Sequence, residues 1–441
     1  MKTKISESLI YYLSSFAAKS VQILILTIYT RFINPADLGS YYMFLFLSTI
    51  LSYVFFGNAN STTKHFLLKS SEIKAKDLSQ YSLIFIGLIS LLSCFLLLFF
   101  SFDIRYIYFS FILGLSIFTE NFLLGMKNYL HVTYLNFAKI IFELVILYYL
   151  ISIDIQGFDL RFYPFFISLS LPSLLIILMF RKTIFKNFFN YDFKKSKQIF
   201  RYSTPILIHT ILFTILNQSN RYIIGNLYGD EYSGYFSVMQ TFGNVIVLIS
   251  MFYNTIMIDK LYNFFDSDDY NKIAEYLNTY IRIISVSSVA VYSSLQLFLS
   301  YFLSEVYFSY FFIITFIFIS NIFFIFYLIF SIKLNFHERG KKIALNSFLS
   351  IISGLAVSYL LIMNNPWVGI SLSILIYNLL LFLFYFDAKI FKTIKLKTYL
   401  IILSSLIFIV AIYFINSIIM ALICILLTIY YINTHRWKSL F

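Results

Sequence analysis

Apolar runs of about 20 residues recur along the whole chain, and this spacing limits the possible folds more than any other feature of the sequence. Each run is long enough for a helix to cross the hydrocarbon core of a bilayer, and the segments between the runs are short and polar. The sequence is 60% hydrophobic and only 12% charged, less charge than a soluble core of this size requires. It therefore predicts an all-α polytopic membrane protein.

We predict fourteen transmembrane helices with both termini in the cytoplasm. The cytoplasmic segments of this arrangement hold 26 of the 33 Lys and Arg residues, as the positive-inside rule requires. External loops hold only Arg31, Arg105 and Arg161, and these loops are too short to contain an extracytoplasmic catalytic domain. The predicted spans are 9–32, 38–58, 79–100, 106–126, 130–152, 161–181, 203–228, 232–257, 279–302, 309–332, 344–363, 367–387, 399–415 and 418–433.

The longest cytoplasmic loop divides the first twelve spans into six and six. This division predicts an N-terminal lobe at 1–187, a linker at 188–200, a C-terminal lobe at 201–390, and two further helices with a short cytoplasmic tail at 391–441. The linker interleaves Phe with Lys, which is typical of a segment lying on anionic lipid headgroups. The first helices of the two halves resemble each other weakly. We therefore expect two pseudo-symmetric six-helix lobes plus two C-terminal helices.

Span 7 carries an arginine, Arg221, well inside an apolar segment. On a helical wheel it shares a narrow polar stripe with Thr210, Thr214 and Asn217, while Ile, Leu and Phe cover most of the rest. A charge inside a span costs roughly 2.5–3.5 kcal/mol on insertion scales, so it is retained mainly where it meets water, a counter-charge or a ligand. The stripe thus indicates the wall of a hydrated cavity, although snorkelling of Arg221 to the headgroups stays open.

A second cation, Lys19, lies on a polar stripe of span 1 together with Gln22, and span 8 adds Gln240 and Asn244 beside span 7. Hydroxyl and amide side chains at helical spacing also join helices to each other, so a structural role stays open for each one. Together the stripes favour a cationic cavity shared by the two lobes. The predicted substrate-binding residues are Lys19, Gln22, Thr210, Thr214, Asn217, Arg221, Gln240 and Asn244.

Three more charged residues lie in spans 4 and 5. Lys139 and Glu143 are four residues apart, which predicts an ion pair within one helix. Glu143 could instead carry a proton, and Glu120 is either protonatable or an acid at the inner interface. We interpret Glu143, Glu120 and Lys139 as candidates for proton or ion coupling. The two cysteines, Cys94 and Cys424, lie in apolar spans without metal-ligand spacing, and we predict no metal, cofactor or catalytic residue.

Short motifs mark three places where predicted spans begin. Residues 34–42, Asn-Pro-Ala-Asp-Leu-Gly-Ser-Tyr-Tyr, lie at the turn from span 1 into span 2. Residues 221–225 followed by 231–237 lie at the junction of spans 7 and 8, and 365–371 at the start of span 12. In their sequence, order and spacing these motifs resemble the polysaccharide-transporter (Wzx-type flippase) branch of the multidrug/oligosaccharidyl-lipid/polysaccharide (MOP, MATE-like) exporter superfamily. Spans 1 and 7 lack the acid found in the family, so the coupling ion stays open.

This resemblance implies a flippase and not an enzyme. Its cargo would be a polyprenyl-diphosphate-linked oligosaccharide, such as an O-antigen, capsule or exopolysaccharide repeat unit. Transport would proceed by alternating access through a cationic central cavity, across the bacterial cytoplasmic (inner) membrane. The implied partners are this lipid-linked oligosaccharide and membrane lipids, with glycan polymerase or assembly proteins as further candidates. Nucleic acid is not implied, because the basic residues behind the net charge of +13 lie mainly in the predicted cytoplasmic segments, as in other membrane proteins.

Two classes of alternative stay open. Within transport, the chain could be a lipid II or teichoic-acid flippase or a MATE-like drug or cation exporter. A cation exporter should place an acid in its cavity, whereas these stripes carry Lys19 and Arg221. The more distant alternative is a membrane glycan polymerase or glycosyltransferase, which needs catalytic groups on substantial loops that the short external loops do not offer.

Overall fold

The computed structural model is helical throughout the part of the chain that it describes, and no strand occurs there. The all-α prediction is therefore confirmed for these residues. The chain forms two compact units, Met1–Gln218 and Ser219–Phe441. The described residues are 17, 20–55, 103–126, 128–184, 193–250, 261, 262, 264, 265, 267, 270–337 and 339–415.

The first unit is built from apolar helices packed around an aromatic interior. Helices α2 and α5 each pack against α3, and α4 packs against α5. Phe44 of α2 contacts Phe109 of α3 and Phe162 of α5, with ring centroids 5.1 and 5.6 Å away. The helices are α1 (Ser20–Phe32), α2 (Pro35–Phe55), α3 (Ile104–Gly125), α4 (Tyr129–Ser152), α5 (Gly157–Met179) and α6 (Phe193–Tyr228), within which the division between the units falls.

In the second unit the most extensive packing joins α10 and α9 to α11. Gly369 permits one close approach, because a Cβ there would collide with the backbone at Leu361 of α10. Trp367 stacks nearby on Tyr232, with ring centroids 5.1 Å apart. The helices are α7 (Asp230–Gly243), α8 (Tyr270–Phe302), α9 (Phe312–Phe336), α10 (Gly340–Asn364), α11 (Pro366–Tyr385) and α12 (Leu396–Ile415).

Two helices begin with the same local chemistry, an Asn followed by Pro. Asn365 accepts hydrogen bonds from the backbone amides of Trp367 and Val368, both at 3.1 Å, at the start of α11. Before α2, Asn34 accepts from the amide of Asp37 at 2.7 Å. Proline fits the first helical position because the amide it lacks has no partner inside the helix. The motifs at 34–42 and 365–371 therefore coincide with the starts of α2 and α11, because they contain the residues that begin these helices.

Helix α4 turns its apolar side outward and its charged side inward. Exposed residues on it include Tyr134, Ile141 and Tyr148, spaced by about two turns. Lys139 and Glu143 lie on the buried side and are 8% and 2% exposed. Large apolar side chains face lipid at no cost, whereas charges inside a membrane protein face its interior. The arrangement is that of a membrane helix.

Eight described helices are long and apolar enough to cross a membrane, and the chain is a multi-pass membrane protein. Spans 3 and 14, at 79–100 and 418–433, lie outside the described residues, so the count of fourteen and the inside location of both termini stay predictions. Residues 193–200, which we predicted as part of a surface linker, form the first turns of α6. Hydropathy marks where a helix enters the bilayer, and a helix extends beyond that point when no breaker stops it.

Asp387, between α11 and the next helical turn, provides a test of stability against pH. Its carboxylate accepts from Nζ of Lys333 at 2.7 Å and from two backbone amides. Burial opposes ionisation, but these hydrogen bonds outweigh it and lower the pKa of Asp387 below its ordinary value. A lowered pKa stabilises the fold above the unfolded value, about 3.9, and the contribution is lost as pH falls through the folded value.

We expect Asp387→Asn to lower the unfolding free energy by up to about 1 kcal/mol near neutral pH, because the amide keeps the cap but loses the ion pair. Thermal unfolding of the purified protein at several pH values measures this. The difference from the parent protein should begin to shrink below about pH 4 and disappear only once the pH is below the lowered folded pKa of Asp387. A difference that stays constant across pH would contradict a role for the carboxylate charge.

Candidate functional site

Arg221 lies near the end of α6 and is 4% exposed. Its Nε donates a hydrogen bond to Oε1 of Gln240 on α7, at 2.7 Å. The side chain is therefore held inside the second unit, and the snorkelled position is wrong. Gln240 is neutral, so this hydrogen bond orients the guanidinium without cancelling its charge. An oriented, buried guanidinium is suited to bind a phosphate or carboxylate through paired N–H groups.

The other polar residues of the α6 stripe are satisfied along their own helix. Thr210 donates to the carbonyl of Ile206, Thr214 to that of Thr210, and Asn217 to that of Phe213, each at 2.9 Å. Such bonds let a hydroxyl or amide lie in an apolar helix with its donor satisfied. They leave acceptor capacity on the oxygens, so participation in ligand binding stays a prediction for these three residues.

The remaining predicted binding residues are placed as follows. Gln240 is buried, and Asn244 follows the last residue of α7, where its backbone amide donates to the carbonyl of Gln240 at 2.9 Å. Gln22 lies half-buried in α1. Lys19 lies outside the described residues. The structure thus brings Arg221 and Gln240 into direct contact, and the joint role of the set stays a prediction.

Glu143 pairs with a residue that the sequence analysis had assigned to an external loop. Nη1 of Arg161, in the second turn of α5, lies 2.6 Å from Oε1 of Glu143 on α4. Their side chains are 13% and 3% exposed. Arg161 was missed because the predicted span began at residue 161, whereas α5 begins at Gly157 and carries the arginine one turn into the unit. A search for the counter-charge of Glu143 across the short connection 153–156 would have found it.

The predicted ion pair between Lys139 and Glu143 within one helix is wrong. Nζ of Lys139 lies 3.5 Å from Oε2 of Glu120 on α3, and Glu143 pairs with Arg161 on α5. Both residues occupy the buried face of α4, where charges from the neighbouring helices reach them. Each ion pair therefore joins two helices, which spacing along one helix does not reveal.

Two tyrosine rings enclose Arg161. Its Cζ lies 4.2 Å from the ring centroid of Tyr29 and 5.3 Å from that of Tyr41, and both tyrosines are fully buried. This geometry supports a cation–π interaction. Within the described part of the chain, both hydroxyls and Nε of Arg161 are buried without a hydrogen-bond partner. The cluster combines a neutralised ion pair with polar atoms able to hold water.

The fold is similar to that of several solved membrane transporters. A lipid II flippase, MurJ in an inward closed conformation, matches 97% of this chain and 100% of its own, with a TM-score of 0.70 and 16% identity. A mutant of the Vibrio cholerae MATE transporter VcmN matches 92% of this chain and 95% of its own, with a TM-score of 0.55 and 12% identity. An inward-facing multidrug resistance MATE family transporter of the MOP superfamily matches 85% of this chain and 93% of its own, with a TM-score of 0.58 and 14% identity.

At these identities the likeness establishes the fold alone, which the chain shares with this lipid II flippase and these MATE transporters. No protein-family model and no curated protein sequence matches the chain.

Proposed function

We propose that this chain is a flippase that moves a polyprenyl-diphosphate-linked oligosaccharide from the cytoplasmic to the outer leaflet of the bacterial cytoplasmic membrane. The observation that carries the proposal is the fold, shared along nearly the whole chain with a lipid II flippase. That relative handles a lipid-linked substrate, and the motifs at 34–42, 221–237 and 365–371 favour the polysaccharide branch of the same superfamily. The proposed topology keeps fourteen helices with both termini inside.

In this proposal Arg221 binds the diphosphate and Gln240 holds the guanidinium in position. Hydrogen bonds to an ionised group are worth about 1.5–3 kcal/mol each, so one oriented arginine contributes substantially to headgroup affinity. Lys19 supplies a second positive charge, and Asn217 and Asn244 bind sugar hydroxyls. The remaining proposed contacts are Gln22, Thr210 and Thr214.

Coupling to an ion is proposed to use the interhelical ion pairs of the first unit. A proton on Glu143 would remove the negative charge that compensates Arg161, only 2.6 Å away. The pair of Lys139 and Glu120, longer at 3.5 Å and partly exposed at Glu120, offers a second proton-accepting group. Protonation would therefore loosen contacts between α3, α4 and α5, which is the kind of change that a transport cycle requires.

A drug or cation exporter is the second candidate, because MATE transporters share the fold. The presence of Arg221 at the proposed site argues against it, since a positive charge repels a cationic substrate. A lipid II or teichoic-acid flippase would use the same headgroup chemistry and differ only in the glycan. A glycan polymerase or glycosyltransferase has no support from the fold.

The test is translocation by the purified chain in liposomes that contain a fluorescent polyprenyl-diphosphate disaccharide. A membrane-impermeant glycosidase reports which leaflet holds the lipid, and mass spectrometry reports any covalent change. We expect the substrate to cross faster than in protein-free liposomes and to stay chemically intact. Transport of ethidium without lipid translocation would establish an exporter, and a modified lipid would establish an enzyme.

A further inference from the structure

A polar cavity of about 580 Å³ lies in the first unit where α2, α3 and α5 begin. Small-molecule sites commonly have volumes of about 300–1,000 Å³. The proposed topology places these helix starts on the outer side of the membrane. We propose that the cavity binds a sugar residue of the exported glycan after it has crossed, an inference that rests on the proposed function.

Aromatic rings form the apolar wall of this cavity. Phe44, Tyr106 and Phe158 line it, and the ring of Phe44 contacts those of Tyr106 and Phe158 at centroid distances of 4.6 and 5.5 Å. Phe158 also stacks on Phe162 at 5.7 Å. Rings interlocked in this way are held in place before a ligand arrives, which lowers the cost of binding. The C–H face of a sugar ring packs well on such a surface.

The hydrogen-bonding groups of the cavity combine donors with acceptors. Asp103 is engaged by Nε and Nη2 of Arg105, at 2.9 and 2.8 Å, and Asp37 accepts from the turn before α2. Within the described part of the chain, no hydrogen bond engages the side chains of Asp159 and Gln156 or Nη1 of Arg105. A carboxylate, an amide and a guanidinium N–H suit hydroxyl groups, which both donate and accept.

A ligand that carries only positive or only negative charge fits this cavity less well than a sugar does. The three carboxylates of the lining lie at or near the first turns of three helices, whose positive ends they compensate. Arg105 offsets a further negative charge, so no strong field of one sign is left. Among the described residues, no group of three carboxylate, histidine or cysteine side chains is arranged to hold a metal ion.

Gly157 lines the cavity at the start of α5. Its φ is +68°, which favours glycine, and a Cβ there would lie 3.0 Å from Oδ2 of Asp37. The backbone of α5 therefore lies close to α2 at this edge. Gln156 and Asp159, on either side of Gly157, line the cavity and are exposed.

Saturation-transfer NMR on the full chain in amphipol, which carries no sugar, tests this site. The probes are N-acetylglucosamine, galactose and rhamnose, with tetramethylammonium and inorganic phosphate as competitors. We expect transfer to at least one sugar. Asp159→Asn and Gln156→Ala, both at exposed positions, should each weaken the apparent affinity for that sugar at least about fivefold, because each removes one hydrogen bond.

The matched control is Asp154→Asn, in the same connection but outside the cavity lining. Its φ of +63° is one that asparagine tolerates, and affinity should not change. The inference is overturned by absence of transfer to all three sugars, by an affinity unchanged from the parent protein in both cavity variants, or by displacement of the sugar by tetramethylammonium or phosphate. Translocation without sugar binding refutes this site alone, whereas sugar binding without translocation refutes the proposed function alone.

Discussion

Arg221→Gln is expected to lower the rate of lipid-linked oligosaccharide translocation at least about tenfold while the protein keeps its fold. The reason for the loss is that one or more charge-assisted hydrogen bonds to the diphosphate disappear, each worth about 1.5–3 kcal/mol. In the parent protein, Gln240 accepts from Nε of Arg221 at 2.7 Å. The fold is kept in the variant because a glutamine amide at position 221 can still donate to Gln240. The liposome translocation assay measures the rate, with protein level and unfolding temperature recorded in parallel.

Two companion variants separate charge from geometry at this position. Arg221→Lys keeps a positive charge but loses the planar pair of N–H groups, so it should recover only part of the activity. Arg282→Gln is the matched control, because Arg282 is also an arginine of the second unit whose Nε donates to a neutral side chain, Oγ1 of Thr398 at 2.9 Å, although Arg282 is only half-buried. Transport should be nearly unchanged in it. Equal losses in Arg221→Gln and Arg282→Gln would contradict a specific role in binding.

Helix positions were largely predictable because apolar length and helix-start residues are local features. The span predicted at 367–387 is the helix Pro366–Tyr385, and its start is determined by Asn365 and Pro366. The predicted starts failed where a helix extends beyond its apolar run. This happened at α6, whose first turns are basic, and at α5, where Gly157 precedes Arg161 by one turn.

The candidate site was predictable only in part. A polar stripe on one helix revealed Arg221, because the cost of a charge in a membrane depends on its depth in the span. Gln240, which accepts a hydrogen bond from Arg221, was placed on the neighbouring helix, but the hydrogen bond between the two side chains was not predicted. The partners of Glu143 and Lys139 depend on how α3, α4 and α5 are rotated against one another. Periodicity along one helix contains no information about that rotation.

The ion pair between Glu143 and Arg161 should contribute strongly to the stability of the first unit, and unequally for its two members. Removal of one partner from a buried pair costs about 3–5 kcal/mol, because the other charge is left uncompensated. Glu143→Gln leaves an arginine, which cannot release its proton. Arg161→Gln leaves a glutamate, which can take up a proton and become neutral. We therefore expect Glu143→Gln to be the more destabilising of the two.

The tyrosine rings around Arg161 reduce this cost without removing it. Cation–π interactions with Tyr29 and Tyr41 are worth about 0.5–2 kcal/mol, less than the loss of the buried partner. The double variant should lose less than the sum of the single losses, by at least about 1 kcal/mol, because neither charge is then left alone. Unfolding free energies in mixed micelles, titrated with SDS, measure all three proteins against the parent.

An exposed pair provides the control for this cycle. Arg105→Gln breaks the ion pair of Arg105 with Asp103, whose side chains are 56% and 38% exposed respectively. This substitution should lower the unfolding free energy by at most about 1 kcal/mol. Additive losses in the double variant would mean that the two side chains stabilise the unit independently, and Glu143 could then not release α5 by taking up a proton.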